Sequence, residues 1–244
     1  MRKAAAVIAL AFYWPAAIAD TASASFSNLT LSGAGWGEVG AGVSATSRVP
    51  GSDQQGFDDY FPGLPIEPLQ VTSGGLTALM GPGASTFLLT FDGSVPGSTY
   101  YGLVGLGSDY SGMRIEIAPG ATVTLSADFS TSITRDSSCT SIDCVGTSYG
   151  ELGFAVAATQ FPEVGEFEYA EDNDGFSLYE SGTLARRLEA SYTNNTDSWR
   201  YAMMFARISI EGAVAPIPEP SSYALMALGL AGLGFKLKRS RRLV

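Results

Sequence analysis

Through the middle of the chain, apolar and polar residues alternate in short runs instead of recurring at helical spacing. In Met113-Arg114-Ile115-Glu116-Ile117, Met and Ile share one side. Val123, Leu125, Ala127 and Phe129 then alternate with Thr122, Thr124, Ser126 and Asp128. A period of two is the signature of a strand with one buried face. Further strands are expected over residues 25–31, 35–46, 67–73, 85–92, 99–106, 149–159, 175–192 and 199–211. The run from Trp199 to Ile210 is apolar on both sides, as in a central strand. Turn-forming pairs (Pro82-Gly83, Asp92-Gly93, Pro119-Gly120, Asn194-Asn195) separate these runs. No amphipathic helix longer than two turns is present; within the expected strand 175–192, residues 183–191 offer a short helix as the alternative. No repeat of fixed period is present. The pattern predicts an all-β fold, an antiparallel β-sandwich of jelly-roll type.

Two terminal segments break the alternation. At the front, Arg2 and Lys3 precede an apolar run from Ala4 to Trp14 and a small-residue stretch from Pro15 to Ala24. This is the three-part layout of a secretory signal, and the run is too short to span a bilayer comfortably. Cleavage fits the small-x-small rule after Ala19 and equally after Ala24. At the back, the proline-rich stretch Ala215-Pro216-Ile217-Pro218-Glu219-Pro220 leads into an apolar segment from Ser221 to Phe235, followed by Lys236, Lys238, Arg239, Arg241 and Arg242. As a helix that segment reaches only about 22 Å, against a hydrocarbon core of about 30 Å. Flanking residues must snorkel or the bilayer must thin. The basic cluster stays cytoplasmic by the positive-inside rule, which leaves the preceding domain outside. The expected organisation is a signal peptide over 1–24, an extracytoplasmic β domain over 25–214 and a sorting or anchor segment over 215–244. A signal helix and a transmembrane helix would then flank the sandwich, and the Sec translocase and signal peptidase would handle export.

The triplet Pro218-Glu219-Pro220, the short apolar helix and the terminal basic cluster together resemble the PEP-CTERM sorting domain. The resemblance covers residues 216–242, with its three parts in order at the C-terminus. It implies an exosortase as processing partner in a Gram-negative-type bacterium, with Pro218, Glu219 and Pro220 as the recognition triplet. Lys236, Lys238, Arg239, Arg241 and Arg242 would be the stop-transfer cluster. It further implies an inner-membrane precursor, release to the cell surface or extracellular matrix, and association with exopolysaccharide and biofilm.

Charge sharpens this picture. All 24 acidic residues lie between Asp20 and Glu219, where only seven arginines and no lysine offset them. So acidic a domain repels phosphate backbones, which excludes nucleic acid as a partner. The chain has no histidine, so Ser-His-Asp and Cys-His nucleophilic systems are ruled out. No glycine-rich phosphate loop follows a strand. The expectation is a protein without catalytic residues or a cofactor. Two alternatives stay open, a carbohydrate-binding module and a glycan-acting enzyme using two carboxylates about 5–9 Å apart.

Four local features bear on those alternatives. Residues 50–68 combine prolines and glycines with Phe57, Asp58, Asp59, Tyr60 and Phe61. They read as a loop, with Tyr60 and Phe61 as glycan-binding candidates. Tyr100, Tyr101 and Tyr110 are the other aromatics to follow. Cys139 and Cys144 are the two cysteines, and in an exported protein they predict a local disulfide. Such a small ring adds only about 2 kcal/mol. Glu166, Glu168, Glu171, Asp172, Asn173 and Asp174 crowd together ahead of Gly175. Within them Glu171, Asp172 and Asp174 are calcium candidates by ligand type, though the spacing is not that of an EF-hand and a solvated acidic hairpin turn is the simpler expectation. Asn28-Leu29-Thr30 and Asn194-Asn195-Thr196 match a glycosylation sequon, which carries little meaning in a bacterium.

Overall fold

A computed structural model of the chain describes residues 21–33, 41–48, 55–61, 64–93, 99–106, 113–134, 146–159, 166–176 and 181–214. Thirteen strands run in chain order as β1 (Thr21–Ser32), β2 (Ala41–Arg48), β3 (Gln55–Phe61), β4 (Leu69–Ser73), β5 (Leu76–Met80), β6 (Phe87–Asp92), β7 (Thr99–Leu106), β8 (Met113–Ile117), β9 (Thr122–Thr134), β10 (Gly146–Ala157), β11 (Glu168–Phe176), β12 (Gly182–Thr193) and β13 (Arg200–Ala213). They form two sheets. The first has the order β12-β9-β1-β6-β5-β4, and the second β11-β10-β13-β7-β2-β3 with β8 also on β13. Every pairing is antiparallel. The all-β, antiparallel expectation holds.

The period-two pattern is the reason these residues form strands. In β9, Val123, Leu125, Ala127 and Phe129 are buried while Thr122, Thr124 and Asp128 face outward. Along β13 the buried residues are Ala202, Met204, Ala206, Ile208 and Ile210. The doubly apolar run at its start therefore has one face in the core and one, with Tyr201, Met203 and Phe205, half-buried outside. Central position in the second sheet explains that second apolar face.

Several elements differ from the sequence expectation. Part of the expected 50–68 loop is β3, an edge strand paired with β2. The acidic run is β11, another edge strand, where a solvated hairpin turn was expected. Residues 183–191, inside the expected strand 175–192, belong to β12, which pairs with β9 throughout, so the strand reading holds there and the short-helix alternative does not. A jelly roll divides eight strands between two sheets. Among the described residues six and seven are used, and β4, β5 and β6 form a meander. β1 takes in residues 21–24, which the expected boundary at residue 25 leaves to the signal peptide. The expected signal helix and the apolar segment 221–235 lie outside the described residues. No helix among the described residues is long and apolar enough to cross a membrane.

One core joins the sheets. Phe26, Phe87 and Phe129 cluster on the inner face of the first sheet, with Phe26 and Phe129 edge-to-face at 5.5 Å and Phe26 and Phe87 at 6.1 Å. The Phe129 ring lies on Gly150 of the second sheet, where an added Cβ would come 2.5 Å from the ring. A second stack, Phe91 on Tyr100 at 3.7 Å, closes one end. Buried hydroxyls are satisfied: Ser148 pairs with Thr131 across the core, and Thr131 Oγ1 donates to the Ser23 carbonyl at 2.8 Å. Asn194 is fully buried. Its side-chain amide donates to the carbonyls of Ile117 (2.9 Å) and Ser198 (2.8 Å). Its Oδ1 accepts from the backbone and side chain of Thr196. This residue, read in sequence as half of an uninformative sequon, fastens the β12–β13 turn to the end of β8.

Gly150→Ala should lower stability by about 1–3 kcal/mol by forcing Phe129 off its seat. Asn194→Ala should cost a similar amount, about 1–3 kcal/mol, because it takes the side-chain donor from the buried Ile117 carbonyl and the acceptor from Thr196. Each kcal/mol corresponds to a fall of about 2–4 °C in Tm for a domain of this size, measurable by thermal unfolding. An unchanged Tm in either variant would contradict this account of the core.

Candidate functional sites on the two outer faces and at the chain ends

The outer face of the first sheet is a hydroxyl surface. One row crosses all six strands as Thr183, Ser132, Ser23, Thr90, Thr77 and Thr72. Side-chain hydrogen bonds join Thr122 to Thr193 and Thr124 to Ser191, both at 2.9 Å. A charged cluster on this face centres on Asp128. It accepts from Asn28 Nδ2 at 2.7 Å and from Arg187 Nη1 at 3.0 Å, and Arg187 also donates to Ser126. Asn28 reaches it because the β1–β9 register shifts between Ser27 and Thr30. Its φ of 54° lies in the left-handed region that asparagine tolerates better than most residues. The Asn28 and Arg187 hydrogen bonds hold the Asp128 carboxyl below the usual aspartate value of 3.8. Sequence reasoning missed this cluster. Its members lie about a hundred and about sixty positions apart; β12–β9 pairing sets Arg187 opposite Asp128, and the bulge in β1 brings Asn28 to it.

The outer face of the second sheet is aromatic. Register places Tyr169, Ala155 and Met203 in one row, and Ala157, Tyr201 and Glu116 in the next. Tyr169 is 65% exposed, and its ring centre is 6.2 Å from that of Phe167. The alanines beneath are covered. On the same face Tyr149 pairs with Ser209, and Tyr101, 41% exposed, pairs with Glu211. Between these lies the Arg207–Glu151 ion pair. Partial burial, then the Glu151 charge, raises the Tyr149 hydroxyl above its ordinary value of 10.0. Of the aromatics singled out in sequence, Tyr101 is here, whereas Tyr100 is buried against Phe91. Tyr60 and Phe61 sit on edge strand β3, opposite Gly42 and Ala41. Tyr110 lies outside the described residues.

The calcium candidates do not converge. Successive strand residues point to opposite faces, so Glu171 lies on the side opposite Asp172 and Asp174. Arg186 of β12 bridges to both aspartates, and the Glu189 backbone N–H donates to Asp172 Oδ2 at 2.9 Å. The acidic strand thus forms an ionic seam between the edges of the two sheets. Among the described residues no three metal-ligating side chains gather.

The two ends of the described β domain lie at one pole of the sandwich. Thr21 pairs with Asp92, the last residue of β6, and Ala213 pairs with Thr99, the first of β7. Because β6 leads directly into β7, the two ends of the described domain emerge side by side. Residues 216–242, just beyond β13, match the family model of the PEP-CTERM protein-sorting motif. The chain carries a PEP-CTERM sorting tail. That motif marks an exported protein targeted to an exosortase, passing through a membrane-anchored precursor on its way to the cell surface. No curated protein and no solved structure matches the chain. The sorting triplet Pro218, Glu219 and Pro220 and the basic residues Lys236, Lys238, Arg239, Arg241 and Arg242 lie outside the described residues, as do Cys139 and Cys144. The sorting tail follows Val214, buried immediately past the end of β13.

Since the folded Asp128 carboxyl titrates below its unfolded value, the stabilisation from this cluster is complete above the ordinary aspartate range. It is lost as pH falls through the folded pKa. Asn28→Ala and Arg187→Ala should each shift the Asp128 titration upward toward 3.8, as read from its side-chain carboxyl NMR signal. No upward shift in either variant would refute the cluster.

Proposed function

We propose that the chain is a secreted, non-enzymatic surface or matrix protein of an exopolysaccharide-producing bacterium. A signal peptide exports it and an exosortase releases it at Pro218–Pro220. The observation that carries this is the sorting motif directly after the last core strand. Such placement leaves the β domain complete once the tail is removed. A chain without histidine, whose acidic strand is tied up in an ionic seam, supports a structural or adhesive role over catalysis. A Cys139–Cys144 disulfide would rigidify the 135–145 connection in an oxidising compartment.

Intact mass of the protein from its host, with and without exosortase, tests this. A species ending near Pro218–Pro220 only when the exosortase is present is the expected result. Retention of residues 221–244 in both strains would make the tail a plain anchor and refute exosortase release.

The aromatic outer face favours carbohydrate binding as the domain's specific activity. Tyrosine rings stack on pyranose faces, and Tyr169 and Tyr101 are separated along the strand direction by eight positions of β13. At about 3.4 Å per residue that is about 27 Å, room for a chain of several sugar rings. A neutral or cationic glycan suits so acidic a domain better than an anionic one. Tyr169→Ala should weaken retention on the host's exopolysaccharide at least several-fold in affinity electrophoresis, while Thr193→Ala on the opposite sheet should not. Equal retention of both variants and wild type would exclude this face as the binding surface.

A further inference from the structure

The two small-x-small positions near the N-terminus are equivalent as sequence, but the fold separates them. We infer that signal peptidase cuts the Ala19–Asp20 bond and not Ala24–Ser25. The inference rests on the export reading and adds the residue at which the mature chain begins.

Residues 21–24 are part of the sheet. β1 is an internal strand of the first sheet, flanked by β9 and β6. Its opening residues pair on both sides: Thr21 with Asp92 and Thr134, Ala22 with Phe91 and Ile133, Ser23 with Thr90 and Ser132, and Ala24 with Leu89 and Thr131. Ala22 and Ala24 are 3% and 0% exposed in the core. The Ser23 carbonyl accepts the hydroxyl of Thr131, which is itself bonded to Ser148 across the core. A chain beginning at Ser25 would leave a slot between the ends of β6 and β9. Their facing backbone groups would lose partners in the middle of a sheet, where unpaired N–H and C=O groups are rarely tolerated. The slot would also open beside the Phe91–Tyr100 stack at the end of the core. Small side chains at 22 and 24 have a structural cause instead: they pack on the inner face, where every neighbour is tightly fitted. Their match to a cleavage consensus is a by-product of that packing.

Cleavage after Ala19 removes nothing from the sheet. Hydrolysis adds one water across the Ala19–Asp20 amide, leaving a carboxylate on Ala19 and a free amine on Asp20. Asp20 is then the sole residue ahead of β1. Because Thr21 and Ala213 emerge at the same pole, signal peptidase and exosortase act at one end of the domain. The Tyr169 end of the aromatic face lies toward the opposite pole.

N-terminal sequencing and intact mass of the exported full-length chain decide the point, for wild type and for Ala19→Leu. A large residue at the position before the cut blocks signal peptidase. The expected wild-type product begins at Asp20, and Ala19→Leu should lose that product and accumulate chain beginning at Met1. A wild-type product beginning at Ser25 would overturn the inference with export intact. So would an Ala19→Leu product that begins at Ser25 and unfolds at the wild-type temperature. An exported wild-type chain beginning at Met1 would overturn both the inference and the signal reading, independently of how the tail is processed.

Discussion

The close approach of the two sheets at Phe129 and Gly150 is the contact on which the rest of the domain depends. A bulky ring on the first sheet needs a bare backbone on the second, and glycine supplies it. Phe26 and Phe87 fill the space around that ring. The buried residues of the inner faces then join in one apolar cluster. Every polar group within the layer must find an internal partner, which the Thr131–Ser148 pair and Asn194 achieve. Burial in this layer also fixes register, since a one-residue slip would turn each inner face outward.

With the inner faces committed, the outer faces are free to differ. The first sheet presents serine and threonine rows that tie strand to strand by hydroxyl hydrogen bonds. The second presents tyrosines over small residues, a surface on which flat apolar rings can lie. Edge strands β11 and β12 meet through Arg186 and the two aspartates, so charge covers an edge that would otherwise offer unpaired backbone to another chain. The ion pair is half-exposed and contributes little stability by itself. Its value lies in closing the seam.

How much of this was legible depended on burial. Strands β8 and β9 could be read directly because one face of each is in the core, and the alternation in sequence is the imprint of that burial. Edge strands carry a weaker imprint. In β12 only Leu188 and Ala190 are buried, so its arginines, glutamate and alanines left a short helix open beside the strand. β11 has carboxylates on both faces because neither is deeply buried, and it looked like a turn. Proline and glycine on both sides of β3 hid a strand inside an apparent loop. Tyr100 and Tyr101 were indistinguishable in sequence, yet adjacent strand residues must face opposite ways, and one entered the core.

The sequence by itself determined the β class and the sorting tail. Both are local patterns: a period of two that reflects burial, and a proline triplet, apolar run and basic cluster set by recognition and the membrane. The Asn28–Asp128–Arg187 cluster, the Arg186 seam, the aromatic face and the convergence of the two ends were decided only by tertiary structure. Each joins residues whose separation along the chain carries no signal, and strand pairing alone sets which of them become neighbours.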